Sequence, residues 1–590
     1  MPGRSGTDVA NPRLFRRLAL ASDLSSGHFC TLSQTHTPRA ENETAMPRAL
    51  HKKTVEAPVE ASSEGTGARG DNKAGRETRL NPLDAAWLLT ESRATANHVG
   101  GLLTFALPPD APPDFLRRLM HEFRRHRHFA PPWNRRLKYP SFTLNPVPVW
   151  VEDDDIDLEY HMRHAALPFP GGERELGELI GRLHSTPLDL ARPPWECTLI
   201  EGLEGGRFAM YTKMHHSLID GISGVKLLQR AMSTERDKSE ATAPFWESAA
   251  EGRRSEAEGG PRKRASGATP TIASALDVAA EALRGQMRSV PQLAAAFAKI
   301  VGRIGQPGEG LQVPFDSPRS VLNGRVRDKR RFATAQFELA RLRTLASAAG
   351  GTINDVVLSL CGGALRRFLI DREALPDQTL TAGIPVSVRP KDDEGTGNAI
   401  SFIVSTLGTD LDDPVQRLRA IQASVQHAKA HVQGLPRAAM LQYTMLLMAP
   451  TILTLLTGIG GRTRPMFNIT ISNVPGPQAP LYWRGAELLA IYPVSIVTHG
   501  QALNITCHSY NGRMFFGFTG CHASLPSLQK LALHAEAAVQ ELEAAFLPTP
   551  EAAAPAAEKA KPPRKRPAAR KAAAKKSVPA PAPTRKRRIA

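Results

Sequence analysis

The sequence predicts a mixed α/β protein of two globular units with unstructured ends. Three observations carry this reading. Strand-like apolar runs and segments of helical period are interspersed through residues 79–547, and no repeat of about 20–50 residues underlies them. A Glu-, Ser-, Gly- and Arg-rich stretch interrupts them between 236 and 313. Polar or basic segments flank both ends. At roughly 100–200 residues per domain, 590 residues that are 41% hydrophobic accommodate two to four units.

Taken in order, residues 1–78 are polar and Gly-rich and are expected to be disordered. They contain no apolar stretch of the kind that marks a secretory signal. The first unit spans 79–235. Pro82 and Asp84 start a helix that carries Trp87, Leu88 and Leu89, and a strand is expected after Gly100-Gly101. Phe115, Leu116, Leu119 and Phe123 recur at helical spacing within 112–129. Residues 196–203 and 207–214 read as two strands joined by a Gly-containing turn. Helical spacing resumes through Ile222, Val225, Leu228 and Met232.

Residues 236–313 read as a partly helical crossover linker, with an Ala-rich helical segment at 272–304 interrupted by Pro291. The second unit spans 314–547. Val357, Cys361, Leu365 and Leu369 place a strong helix over 352–372, and strands are expected at 381–388, 401–408, 467–474 and 488–497. Asn511-Gly512 between two apolar runs predicts a tight hairpin. Residues 438–461 carry no charge, enough for a bilayer span at about 20 residues. Pro450, four threonines and a Gly-rich end favour instead a helix that is buried or lies on a membrane surface.

The net charge of +18 is concentrated at the C-terminus. Residues 548–590 hold thirteen Lys/Arg against two Glu, so they supply eleven of the eighteen. This Ala/Pro/Lys-rich tail cannot pack a core and is expected to be disordered. Without aromatic residues it offers no base stacking, but it suits salt-dependent contact with nucleic acid or anionic lipid. Five scattered cysteines without a CxxC pair fit a reduced, cytoplasmic compartment.

The chemistry concentrates at residues 213–226, KMHHSLIDGISGVK. Histidine is the side chain suited to taking and returning a proton near neutral pH. If one helical turn follows, His216 and Asp220 share a face, and Asp220 braces the corner through an arginine or backbone donors. Gly221 would admit a close approach or positive φ where the next helix begins, and His215 would fix the turn. A metal reading lacks a third ligand at recognisable spacing. There is no GxSxG elbow, Walker A loop or GxGxxG. On these residues alone, a general base and a structural corner are equally open.

Several ordered blocks resemble one family, the bacterial wax ester synthase/acyl-CoA:diacylglycerol acyltransferases. LNPLDAAWLLTES…NHVGGL is similar to the family's start. RPPWECTLIEGL (192–203) resembles its Pro-Leu-Trp block, with Pro194 where Leu is usual. HHSLIDG matches HHxxxDG, and TINDVVLSLCGGALRRFL, IPVSVRP and NITISNVPGP follow in the family's order. The resemblance covers about 80–547 without the crossover. It implies two chloramphenicol-acetyltransferase-like domains of the CoA-dependent acyltransferase fold, with a channel between them.

It further implies that His216 is the catalytic base, that His215 and Gly221 complete the motif, and that Asp220 is structural. Asn354 and Asp355 would shape the site, with Arg389 as the candidate partner of Asp220 and Asn473 in a matching block. Asn354 as a plain helix cap, Asn473 as a turn former, Trp195 as core and Cys361 as a buried apolar residue are the plainer alternatives. The implied reaction moves a long-chain acyl group from acyl-CoA, as co-substrate, to diacylglycerol or a long-chain alcohol. No cofactor or metal is implied. The implied location is cytoplasmic, peripheral to the inner membrane face or lipid inclusions. A same-fold enzyme using another acceptor or a carrier-protein thioester, or a non-enzymatic tether acting through its tail, are the alternatives.

Overall fold

The computed structural model describes residues 77–80, 82–140, 148–248, 312, 314–387, 400–433 and 437–547. The expected extension up to residue 76, the 272–304 helix and the basic tail lie outside them. In chain order the first half carries β1 (Thr78–Arg79), α1 (Pro82–Leu89), β2 (His98–Ala106), α2 (Phe115–Phe123), β3 (Arg135–Leu137) and β4 (Val149–Glu152). It continues with α3 (Leu158–His161), β5 (Met162–Ala166), α4 (Glu173–Ser185), β6 (Trp195–Leu203), β7 (Arg207–His215), α5 (Gly221–Arg230) and α6 (Arg236–Glu240). The second half carries β8 (Arg330–Glu338), α7 (Leu339–Ala348), α8 (Ile353–Ile370), β9 (Thr381–Ser387), β10 (Ile400–Thr406), α9 (Pro414–Gln433) and α10 (Arg437–Leu456). It ends with β11 (Ile469–Val474), β12 (Tyr482–Trp483), β13 (Ala486–Val494), β14 (Leu503–Tyr510), β15 (Arg513–Cys521) and α11 (Gln529–Phe546).

The mixed α/β class rests on two six-stranded sheets. The first has the order β12-β13-β2-β7-β6-β5 and is antiparallel except for β5 beside β6. The second has the order β10-β9-β11-β14-β15-β8, with β11 parallel to both β9 and β14. A three-stranded sheet, β1-β4-β3, starts the described chain, and its first residue, Thr78, lies in the segment expected to be disordered. Asn511 and Gly512 both take positive φ, 44° and 77°, which lets a two-residue turn match the twist of β14 and β15.

Alternation divides β14 and β15 between two cores. Leu503, Ile505, Cys507, Met514, Phe516 and Phe518 join the core built with α8 and α11. Tyr510 and Phe515 join the core of the first sheet. Strands buried on both faces read as near-continuous apolar runs, as β15 (RMFFGFTGC) does, whereas β14 (LNITCHSY) alternates apolar with polar residues.

Sheet order and chain order part at β12 and β13. Chain order puts 482–494 in the second unit, yet these strands extend the first sheet beyond β2, from Glu487↔Ala106 to Val494↔Gly100. They cover an edge that would otherwise stand unpaired, and Trp483 packs within 5.5 Å of Phe105 between ring centroids. Packing of the first core also runs past residue 235, because Phe245 and Trp246 are buried in it. The uncharged 438–461 run is not one helix, since α10 ends at Leu456. Among the described residues no single helix is long and apolar enough to cross a membrane. Tyr443 and Leu447 of α10 are buried in the second core.

The two sheets meet along β13, β14 and β15. Tyr510 donates to the Leu488 carbonyl (3.0 Å) and accepts from the Leu481 amide (2.7 Å). Just past β13, the Ser495 amide donates to Thr519 Oγ1 (3.0 Å), and the Ser495 and Thr506 hydroxyls pair at 2.7 Å. Gly517 lies so close to Pro493 that a Cβ would stand 1.8 Å from the Pro493 carbonyl oxygen. Gly517→Ala should therefore lower unfolding free energy by at least about 2 kcal/mol. Urea denaturation of the purified variant checks this, and unchanged stability would mean the sheets are not in such close contact.

Candidate active site

The pairing of β2 with β7 sets the position of the histidine corner, with His98 opposite His215. The chain then makes one turn, in which the Leu218 and Ile219 amides both donate to the His215 carbonyl (2.9 and 3.3 Å). Residues 216–218 are a turn and 219–220 have no regular structure, so helical spacing does not relate His216 to Asp220. Asp220 instead precedes α5, where its carboxylate accepts from the Ser223 amide and the Ser223 hydroxyl, both at 2.9 Å. That satisfies a donor which the helix start leaves unpaired. Gly221 does not have the role expected of it. Its φ is not positive, and a Cβ there would meet nothing within 4 Å.

A bracket from the segment 87–97 holds the two histidines. Glu91 Oε2 accepts from the Asn97 amide (2.6 Å) and lies 3.4 Å from His215 Nε2. Asn97 Nδ2 donates to the Trp87 carbonyl (2.7 Å) and to Thr90 Oγ1 (3.0 Å). The Asn97 carbonyl accepts from the His216 amide (2.9 Å), and the Trp87 ring lies 4.4 Å from the His216 ring. His215 Nδ1 accepts from the Ser217 amide (3.2 Å), so a neutral His215 carries its proton on Nε2, toward Glu91. Sequence reasoning missed Glu91 and Asn97. No spacing rule pairs them, because they meet only when the loop between them folds back.

Burial pushes the His216 ring down to about 4, partly offset by the Asp220 carboxylate. The ring is neutral at pH 7. Its Nδ1 is buried without a hydrogen bond, while Nε2 is neither buried nor hydrogen-bonded. His216 is thus held from one side and open at one nitrogen.

Behind the corner lies a buried polar group. His184 accepts at Nδ1 from Tyr211 (2.8 Å) and donates from Nε2 to the Ser495 carbonyl (3.1 Å). His98 Nε2 donates to the His184 carbonyl (3.0 Å). Burial lowers His184 to about 3, helped by Arg330, and lowers His98 well below its ordinary value, helped by His184 and Lys213. Lys213 pairs with Glu196 at 3.0 Å.

The other predicted site residues are spread across the second half. Thr352, not Asn354, caps α8. Asp355 Oδ2 accepts from the Thr352 amide and hydroxyl (2.8 Å each), closing a capping box. Asn473 is the fifth residue of β11, opposite Cys507, and leads into Pro475-Gly476-Pro477. Asn354, Asp355 and Asn473 make no hydrogen bond with His216, and Arg389 lies outside the described residues. Trp195 is core, 1% exposed, with its Nε1 donating to the Trp133 carbonyl (2.8 Å). Cys361 is fully buried, and burial pushes its thiol far up. Among the described residues no three His, Cys, Asp or Glu side chains are placed to hold a metal ion. An open cleft between Pro108, Phe115 and Arg484 lies by the far end of β2, about 27 Å along the strand from His98, and takes no part here.

Two outcomes follow from this geometry. Asn97→Ala removes the side-chain hydrogen bonds to the part-buried Trp87 carbonyl and to Thr90 Oγ1 and should cost about 1–3 kcal/mol of stability, read by urea denaturation. His98, His184 and His216 all have folded-state values below the unfolded value of about 6.5. The unfolded chain therefore binds more protons, so their contribution is fully present above about pH 6.5 and is lost as pH falls toward their folded values. Each ring steepens the loss by up to about 1.4 kcal/mol per pH unit. Melting temperatures should fall sharply between about pH 6.5 and 5, and a flat profile would contradict the neutral rings.

Residues 80–357 match the wax ester synthase/diacylglycerol acyltransferase catalytic domain, and 396–543 match the C-terminal domain of the same family. A Mycobacterium tuberculosis protein named as a putative diacylglycerol O-acyltransferase is 44% identical over 486 residues, covering 79% of this chain and 97% of that protein. The O-acyltransferase WSD of Acinetobacter baylyi is 39% identical over 466 residues, covering 79% and 96%. Among solved structures, the wax ester synthase/diacylglycerol acyltransferase of Marinobacter aquaeolei VT8 superposes with a TM-score of 0.62 at 36% identity, covering 79% of this chain and 98% of that one. The histidine corner, the two-sheet fold and these matches agree: the chain belongs to the wax ester synthase/diacylglycerol acyltransferase family.

Proposed function

We propose that the protein is an acyl-CoA-dependent O-acyltransferase, forming triacylglycerol from diacylglycerol or wax ester from a long-chain alcohol, with His216 as general base. The observation that carries this reading is a neutral imidazole, held by its backbone and by Trp87, with only Nε2 accessible. Family membership supports the reaction class, and the names of the relatives supply the two acceptors.

In this reaction His216 Nε2 takes the proton of the acceptor hydroxyl as its oxygen attacks the thioester carbonyl of acyl-CoA. The tetrahedral intermediate collapses by breaking the carbon–sulfur bond. The imidazolium returns the proton to the departing CoA thiolate, so alcohol and acyl-CoA become ester and CoA. A base held neutral at pH 7 is available without prior deprotonation, and such proton transfer contributes about 10²–10⁴-fold. In this reading Asp220 acts through the start of α5, while Asn354, Asp355, Arg389 and Asn473 are the residues expected to shape the site. Acceptor and product are both insoluble in water, which favours a cytoplasmic location at a membrane face or lipid-inclusion surface. The basic tail is then a second contact for anionic lipid or nucleic acid.

His216→Ala should lower kcat by about 10²–10⁴-fold with labelled acyl-CoA and diacylglycerol or hexadecanol, while leaving the melting temperature close to that of the parent. Full activity in the purified variant would remove His216 from the mechanism. Because burial depresses this ring, the acid limb of kcat/KM should be centred well below the ordinary histidine value, near about 4. A limb at about 6.5 would show that the ring titrates as if in water.

A further inference from the structure

The exposed end of α10 combines two features that rarely adjoin on a protein surface. Leu453 and Leu456, on its last turns, are 61% and 50% exposed, and Ile459, just beyond, is 44% exposed. Single exposed aliphatic residues need no explanation, but three within seven residues on one helix end form a projecting apolar tip. Arginines surround it. Arg325 donates to the Gly458 and Gly460 carbonyls (2.7 and 3.3 Å) and so holds the turn that ends the tip. Arg319 donates to the Arg462 carbonyl (3.2 Å), and Arg319, Arg462 and Arg464 are all exposed. Among the described residues only one carboxylate pairs within this group, Asp316 at 3.9 Å from Arg464.

We infer that this tip and its arginines are a docking surface for an anionic phospholipid layer. Aliphatic side chains enter the acyl boundary while the guanidinium groups meet headgroup phosphates at its rim, the division of labour of an interfacial helix. Charge selects this occupant, since a neutral apolar partner offers the arginines no counter-charge. The placement is consistent with the proposed chemistry and rests on that reading only for its purpose. α10 packs against α1, whose Trp87 walls His216 and whose Leu89 is 42% exposed. Docking would therefore hold a helix that touches α1 against the lipid from which an insoluble acceptor comes.

The test uses the full chain carrying Leu456→Trp, with vesicles of phosphatidylcholine alone or mixed with phosphatidylglycerol, and no acyl-CoA present. Emission of the introduced tryptophan, taken as the difference from the parent, should shift blue and be quenched by bromolipid on the mixed vesicles. Leu453→Asp, Leu456→Asp and Ile459→Asp together should weaken vesicle partition at least about tenfold. Arg319→Gln, Arg462→Gln and Arg464→Gln together should remove most of the preference for phosphatidylglycerol, at about fivefold per arginine. Melting temperatures report whether each variant folds. Co-sedimentation with unchanged emission of the introduced tryptophan would overturn the inference by showing that another part of the chain, such as the basic tail, holds the lipid. Shielding of that indole from iodide without vesicles would overturn it too, because the surface would then be covered by residues 249–311 or by a second copy. Lipid binding is scored without turnover, so its failure is distinct from failure of the acyl-transfer reading.

Discussion

One carboxylate joins the two chain segments on which the site depends. Glu91 accepts from the Asn97 amide and faces the Nε2 proton of His215, so the segment before β2 and the end of β7 are fastened at one point. The consequences spread from there. With Asn97 held, its carbonyl meets the His216 amide, and its side chain fixes the Trp87 carbonyl. The indole then covers one side of the His216 ring. A hydrogen bond to a charged group is stronger than one between neutral groups, and this one is shielded, with the Glu91 side chain only 14% exposed.

The same fastening reaches the second sheet. Arg330 of β8 donates from its guanidinium to the Ala94 carbonyl (2.7 Å), inside the loop that Glu91 and Asn97 close, and from its amide to Ser185 Oγ of α4 (2.8 Å). Ser495 connects the edge of the first sheet to Thr506 and Thr519 of the second, and its carbonyl meets His184. The histidine corner is therefore seated where both sheets contribute, although its own residues come from the first half alone. Moving one sheet against the other would disturb the ring through this chain of hydrogen bonds.

Burial divides the histidines into two kinds. His98, His184 and His215 are enclosed and have hydrogen-bond partners, so they serve packing. His216 is held neutral by desolvation, but keeps one nitrogen accessible. Chemistry is assigned to the ring whose free nitrogen is accessible, since the unpaired Nδ1 of His98 is sealed in the core.

Features that depend on local conformation and side-chain period were legible along the chain. The β6–β7 pair, α2, α8 and the Asn511-Gly512 hairpin follow from spacing and turn chemistry, and the family could be identified from ordered motifs. The location of the histidine corner after β7 was legible for the same reason. Which residues surround it depended on long-range packing. Glu91 and Asn97 are separated from His215 by over a hundred residues, and no periodicity records such a meeting. β12 and β13 joined the first sheet because strand pairing is settled by edges available in space, not by order along the chain. Gly221 looked like a crowded position and proved open, and Thr352 rather than Asn354 capped α8. In each long-range case the deciding quantity was the distance between groups far apart in sequence, which a local pattern does not contain.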